Sequence, residues 1–541
     1  MAKLWTLKGK KILIADDFPA MRSMMRTMLA AFGADNIAEA RTGEEALEIL
    51  EEDSKEIILC DYNLGEGKDG QQVLEEAKHR ELIPYSTVFL LATAENTADM
   101  VMGAMEHQPD DYLVKPFTKT VLQMRLRKLQ EKKAGYLDIS NAIEAKNYQG
   151  ALGLCNKLVK QDPKTAFEIF KIKGEIYQKL SDFSAAEEIY EKVLNSREIT
   201  WAKYGLGKVL YYQDQLDESK EVLEDLVDNN PKFVIAYDWL AKVESALGNK
   251  KKAQNILSQA VEISPKGILR QRALGDISLA NEDYDEAEKA YKQVVKKGKN
   301  SFYRNPNDFG GLAKVYTKKN NSKSALQVLS KMNTEYSDAE GQAKLQTTLI
   351  EGIVHKGLGN EAQSIAALDK AMQIFEEQPG MLSSESAMEL AETCFSFGKK
   401  EQGDELIKHV VRNNHEDKAV LDKAKQLYTD LGMESEGSDL IAGAQKEVVG
   451  INNEGVGLAK EGKLKESIRL LTKAARAMPE SLIINLNTAQ SIIMLMQSNG
   501  VSDRYLEQAR RHLDRARLAD PGSERFKQLL DHYHQLSRKS A

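Results

Sequence analysis

The chain has 541 residues, a formal net charge of −7, and 42% hydrophobic against 29% charged residues. That length implies more than one domain, and the mild acidity excludes a bulk attraction to nucleic acid or membrane. The richest apolar stretch, Ser491-Ile492-Ile493-Met494-Leu495-Met496, is far short of the ~18 residues of a membrane span, and no N-terminal signal segment is evident. The scattered cysteines Cys60, Cys155 and Cys394 lie in apolar contexts, the pattern of buried free thiols in a reducing compartment, so a cytoplasmic location is expected.

The first elements are short apolar runs that end in polar residues. Ile12-Leu13-Ile14-Ala15 ends in Asp16 and Asp17, and Ile57-Ile58-Leu59-Cys60 ends in Asp61. Val88-Phe89-Leu90-Leu91-Ala92 ends in Thr93, and Tyr112-Leu113-Val114 ends in Lys115. As strands of an open parallel α/β sheet, these runs deliver their end residues to one crevice, where ligands bind. Clustered carboxylates repel unless a cation neutralises them. Mg²⁺ takes oxygen ligands, often one or two carboxylates with phosphate oxygens. An aspartate also serves as a nucleophile that becomes an acyl phosphate. Mg²⁺, Lys115 and Thr93 are then suited to the phosphoryl oxygens. The bland alternative, strands ending in Asp only to cap the next helix, explains one such residue but not the whole set.

This constellation resembles the CheY-like receiver domain of bacterial response regulators, over roughly residues 9 to 130. The resemblance implies a flavodoxin-like, five-stranded parallel sheet of order 2-1-3-4-5. It implies Asp61 as phosphoacceptor, Asp17 as a direct Mg²⁺ ligand, and Asp16 acting mostly through water. Asn63 would offer its backbone carbonyl to the metal. Thr93 would be the switch hydroxyl, Tyr112 the switch aromatic and Lys115 the phosphate-pairing cation. Asn63 and Glu95 would tune hydrolysis, and Lys115-Pro116 would be the family's cis peptide. The receiver would phosphorylate itself from a donor and lose the phosphate slowly, without being an enzyme in the usual sense. One departure is the loop after Asp61. The family often reads Asp-x-x-Met-Pro there, but this chain reads Asp61-Tyr62-Asn63-Leu64-Gly65 and continues as Glu66-Gly67-Lys68-Asp69-Gly70.

The last receiver helix is expected from about Thr118 to Lys133, with Leu122, Leu126 and Leu129 on one face and Gly135 the only break behind it. Beyond residue 130 the strand-like runs vanish and a repeat appears. A small residue is followed by apolar residues four and seven later, then by proline. Ser219, Leu223, Leu226 and Pro231 fit, as do Ala253, Leu257, Ala260 and Pro265, and Ala287, Tyr291 and Val294 follow at the same 34-residue interval. Leu206-Gly207, Leu240-Ala241 and Leu274-Gly275 recur with that interval upstream. This resembles the tetratricopeptide repeat, a helix–turn–helix unit of ~34 residues. Small residues sit where two helices cross, and the apolar stripe is buried only by a neighbouring repeat. More divergent copies are centred on Ala151, Ala186, Ala325, Ser364, Gly403 and Ala509, and a clearer one returns at Gly455, Ser467, Leu471, Ala474 and Pro479. An all-α superhelix of about nine to ten hairpins over 136–535 is expected, with one unit hidden near Leu427 to Ala442 and a hinge near 433–450.

Such arrays bind proteins or peptides on a concave face and rarely perform chemistry. His532 and His534 are two apart and point to different faces. Cys155 and Cys394 stand at packing positions. The expected partners are therefore a cognate histidine kinase or phosphotransfer protein for the receiver and an unknown protein or peptide for the array. No DNA-binding domain is evident, and phosphorylation of Asp61 would switch what the array binds. Two alternatives stand beside this. The array would regulate the phosphate of another phosphorelay protein, or Arg504, Arg510, Arg511, Arg515 and Arg517 of the last repeat would contact RNA. No aromatic interleaving favours the second.

Overall fold

The computed structural model describes residues 5–94, 109–161, 165–520 and 522–539, omitting the side chains of 379, 419, 538 and 539. The four apolar runs form strands β1 (Lys11–Ala15), β3 (Ile57–Asp61), β4 (Val88–Thr93) and β5 (Asp111–Val114), and a fifth strand that no apolar run marked, β2 (Asn36–Ala40), joins them. Helices α1 (Pro19–Ala30), α2 (Gly43–Glu52) and α3 (Gly70–His79) lie between strands, and α4 (Lys119–Ala134) follows β5. All paired strands are parallel, in the order β2-β1-β3-β4-β5.

Strands β1, β3 and β4 read as unbroken apolar runs because both faces are covered. Their alternate residues serve two cores. Leu13, Ile58, Cys60, Phe89 and Leu91 pack with Ala46, Leu50, Val73 and Leu74 of α2 and α3. Ile12, Ile14, Leu59, Leu90 and Ala92 pack with Met25 and Leu29 of α1 and Leu122 and Leu126 of α4. Fully burying one such Ile or Leu stabilises by roughly 1.5–3 kcal/mol. Helix starts are local chemistry. Thr42 caps α2 through the Glu45 amide, Thr118 caps α4 through the Val121 amide, and Asp69 and Gln72 form a reciprocal capping box on α3.

From Leu137 onward no strand occurs among the described residues. The chain divides into two compact units, Met1–Tyr211 with Gln215–Arg304, and Tyr212–Asp214 with Asn305–Ala541. In the first unit, hairpins such as Ala166–Lys179 with Phe183–Leu194 and Ile268–Ala280 with Tyr284–Lys297 follow the receiver. Their helices touch where glycine leaves room. A Cβ on Gly207 would lie 2.6 Å from Leu223, and one on Gly275 would lie 3.0 Å from Tyr291, sixteen positions on in each case. The repeat serine adds a bond, since Ser219 Oγ donates to the Gly207 carbonyl at 2.7 Å. Pro231 and Pro265 stand just beyond the ends of Leu216–Asn229 and Lys250–Ile263, where proline cannot continue a helix.

The second unit repeats the device. Ser364 Oγ donates to the Gly352 carbonyl at 2.7 Å, and Ser467 Oγ to that of Gly455 at 2.8 Å. One expectation is corrected here. The proposed hinge at 433–450 is helix, the first part of Glu434–Lys460. Its glycines hide an apolar stripe, with Gly437, Ile441, Ala444 and Val448 all buried. Tyr428 covers Gly437 so closely that a Cβ has no room. The helix packs against Lys418–Asp430 and, further along through Gly455, against Leu464–Ala477, so it serves two successive hairpins. Among the described residues no helix is long and apolar enough to cross a membrane.

Candidate functional site

Strand register builds the site. Ala15 pairs with Cys60, Asp61 with Ala92 and Thr93 with Val114, so Asp16, Asp17, Asp61, Thr93 and Lys115 emerge at one end of the sheet. Ligand atoms of Asp16, Asp17 and Asp61 lie within 4.8 Å of one another. Asp16 is the buried floor, Asp17 is exposed at the mouth, and the Asp61 side chain is 12% exposed between them.

Lys115 spans the cluster, with Nζ 2.7 Å from Asp16 Oδ2 and 2.9 Å from Asp61 Oδ1. Burial pushes the Asp61 carboxyl above the usual carboxylate range and the Asp16 charge adds to this, while the Lys115 ammonium pulls it back. The Phe18 amide donates to Asp16 Oδ1 at 2.9 Å, which fixes that carboxylate's orientation. The Lys115-Pro116 bond is cis.

Two supporting residues escaped the sequence reading. Arg22 is 7% exposed, donates to the Asp16 carbonyl at 2.7 Å and lies 3.4 Å from Glu39. Its signal was a charge in a stripe slot, since Arg22, Met25 and Leu29 form the buried face of α1. Gly70 is the other. A Cβ there has no room beside the Asp61 carbonyl, so α3 starts hard against the end of β3.

Asn63 is exposed, and its Oδ1 accepts the Gly65 amide at 3.2 Å. Thr93 is buried at the end of β4. The Tyr112 hydroxyl is buried with no hydrogen-bond partner among the described residues, and burial, helped by the Tyr62 phenol, pushes its pKa up. Such an orphan is costly. Glu95 lies outside the described residues.

The donor set suits Mg²⁺. It consists of carboxylates with one open edge at Asp17, the ligand type a hard cation takes. Cys60, which precedes Asp61, is buried with its thiol pushed up by desolvation, so it offers no thiolate.

The array holds no comparable chemistry among the described residues. Burial pushes the Cys155 and Cys394 thiols up to about 11. His512 is buried with Nδ1 2.9 Å from Asn485 Oδ1. The arginines of the last repeat are largely engaged. Arg511 pairs with Glu507, Arg510 and Arg517 with Asp514, and Arg515 donates to the Ala475 carbonyl. Arg504 instead lines a surface groove with Lys465, Arg469, Lys473 and Arg476, so a basic face stands beside these pairs.

A model of the response regulator receiver domain matches residues 12–127. Tetratricopeptide repeat models match residues 204–268, 172–199 and 273–296. Chemotaxis protein CheY of Pseudomonas aeruginosa is 34% identical over 125 residues, covering 23% of this chain and 99% of that protein. Chemotaxis protein CheY-3 of Vibrio cholerae is 33% identical over 125 residues, covering 23% and 95%. A solved tetratricopeptide repeat protein from Parabacteroides merdae aligns over 45% of this chain and 93% of its own, at 13% identity and a TM-score of 0.32. With the sheet order, the acidic crevice and the repeats behind them, the chain belongs to the response regulators, carrying an N-terminal receiver domain followed by tetratricopeptide repeats.

Proposed function

We propose that Asp61 accepts a phosphoryl group from a histidine kinase or phosphotransfer protein in the cytoplasm, and that this switches which proteins the repeat array binds. One observation carries the reading. Three carboxylates converge within 4.8 Å at the strand ends, with Lys115 bridging two of them. In the transfer, Asp61 Oδ forms a bond to phosphorus as the bond to the donor's imidazole nitrogen breaks, and the donor nitrogen leaves with the electron pair. Lys115 and the Thr93 hydroxyl are placed to receive the phosphoryl oxygens.

Asp17, Asp61 and the Asn63 carbonyl would hold Mg²⁺, with Asp16 behind, and the bound ion neutralises charge between carboxylates and phosphate. The chain's own part is orientation. Arg22 and the Phe18 amide fix Asp16, Asp16 positions Lys115, and Gly70 anchors the Asp61 backbone. The output is protein binding without DNA contact, and no larger catalytic role is assigned.

The test is incubation with radiolabelled acetyl phosphate and Mg²⁺. Wild type acquires a hydroxylamine-sensitive label, whereas Asp61→Asn acquires none. An unlabelled wild type, or an Asp61→Asn chain labelled equally, overturns the reading.

A further inference from the structure

The loop that follows the phosphoacceptor is seated on the repeat array. Tyr62, the residue after Asp61, is 4% exposed, and its hydroxyl accepts from Lys266 Nζ at 2.8 Å. Lys68 Nζ donates to the Asn300 carbonyl at 2.7 Å, and Asn300 Nδ2 donates back to the Gly67 carbonyl at 2.7 Å. At the far end of α3 the His79 ring lies 4.6 Å from Phe302 and 5.7 Å from Tyr303. A separate contact holds the receiver to earlier repeats, where Tyr85 Oη donates to Glu175 at 2.6 Å and Ser140 Oγ accepts the Ser86 amide at 3.1 Å.

The same loop also serves the acidic site. Gly65 has φ +76°, and a Cβ there would lie 3.3 Å from Asp17 Oδ2. The Gly70 amide donates to the Tyr62 carbonyl at 2.8 Å, and the Lys68 amide to Glu44 at 3.0 Å. One short segment thus passes close beside Asp17 at Gly65 and is hydrogen-bonded to the array at Gly67 and Lys68. It cannot tighten around a phosphoryl group on Asp61 without pulling on Asn300.

We infer that the array surface formed by Lys266, Asn300, Phe302 and Tyr303 is a docking site for the receiver's own 62–70 loop and α3, and that phosphorylation of Asp61 releases it. This rests on the phosphoacceptor reading above and goes beyond it, because it names the surface that reads the site. Lys266 is the coupling residue, since its ammonium reaches the hydroxyl of Tyr62, the side chain that follows Asp61. By linkage, an array that holds the loop must weaken ligand binding at Asp61 by the factor by which that binding weakens docking.

The test uses the full chain with spin labels at Ser23→Cys and Lys289→Cys, both exposed and outside the contact, while the native cysteines are buried. Pulsed electron resonance is recorded with Mg²⁺ alone and with beryllofluoride plus Mg²⁺, and bound beryllofluoride is followed by its ¹⁹F resonance. The expected result is one narrow distance without beryllofluoride and a longer, broader distribution with it. Lys266→Ala is expected to broaden the distribution by itself and to bind beryllofluoride at least about fivefold more tightly, whereas Lys266→Arg stays close to wild type. A distance unchanged or shortened at saturation, or a Lys266→Ala chain with unaltered affinity, overturns the coupling alone. Absence of any Asp61-dependent ¹⁹F signal instead overturns the phosphoacceptor reading, and the coupling with it.

Discussion

Replacing Lys115 by methionine keeps the apolar stem and deletes the charge. That ammonium lies 2.7 Å from Asp16 and 2.9 Å from Asp61, in side chains 10%, 0% and 12% exposed. Removing one partner of so buried a pair strands its carboxylates and costs about 3–5 kcal/mol. Lys10→Met is the control, because Lys10 and Glu56 are just as close at 2.6 Å but 43% and 44% exposed. An exposed pair is worth under ~1 kcal/mol. Magnesium separates this account from a generic packing defect. A ligand at a hundredfold excess over its Kd that binds only the native state adds about 2.7 kcal/mol. Wild type gains less, since Lys115 already neutralises part of the cluster. The cost of Lys115→Met is therefore expected to shrink by about 1–2 kcal/mol in saturating Mg²⁺. Hydrogen exchange of peptides covering β3 and β5 in the intact chain reads these opening energies with EDTA and with Mg²⁺. A loss below ~1 kcal/mol, or equal responses of both chains to the metal, refutes the electrostatic argument.

Three further outcomes concern the array. Gly455→Ala drives a Cβ to 2.5 Å from Leu471 and is expected to destabilise by about 1–3 kcal/mol, whereas Gly457→Ala, in the same helix with nothing within 4 Å, gains about 0.5–1 kcal/mol; urea unfolding followed by circular dichroism ranks the two, and equal signs defeat the packing account. Ser219→Ala and Ser364→Ala each lose a buried 2.7 Å bond to a helix carbonyl and are expected to lower stability by about 1 kcal/mol, seen as faster local hydrogen exchange. Burial, reinforced by Arg515 and Arg511, lowers the His512 pKa to about 4. The folded state then binds fewer protons than the unfolded one between pH 6.5 and 4, so the last repeats lose up to about 3 kcal/mol as pH falls through that window; an imidazole resonance that titrates near 6.5 in the folded chain contradicts this.

Much of the receiver was legible because β1, β3 and β4 are covered on both faces, which turns each into an apolar run whose end is conspicuous, whereas the edge strand β2, Asn36-Ile37-Ala38-Glu39-Ala40, carries no such run. The polar residues at those ends are the ones the register brings together, and the repeat was legible where its 34-residue period held. What escaped was of two kinds. In Glu434–Lys460 the apolar stripe of Gly437, Ile441 and Ala444 is diluted by polar and glycine neighbours, so it read as a break. Arg22 has the opposite cause. Its charge masked membership of a buried face, where the Asp16 carbonyl and the Glu39 carboxylate partner it. Charge and glycine content are local properties, whereas burial is decided by residues far away in the chain.

The same reasoning gives meaning to two irregularities. The loop after Asp61 departs from its family pattern toward glycine, which by itself argues for lost rigidity. The repeat positions that recur every 34 residues from Ser219 to Ala287 next recur 38 later, at Ala325, which by itself argues for a tolerated insertion. In the first unit these two departures touch, through Gly67, Lys68 and Asn300. Gly67 has φ +103° and its Cα faces the Glu44 carboxylate, so the backbone carbonyl it offers Asn300 depends on a conformation other residues rarely adopt. A loop built only for rigidity would not need that conformation, and an insertion built only to span a gap would not need a side-chain amide aimed at the receiver. Each deviation is costly alone, and together they form one reciprocal pair of hydrogen bonds.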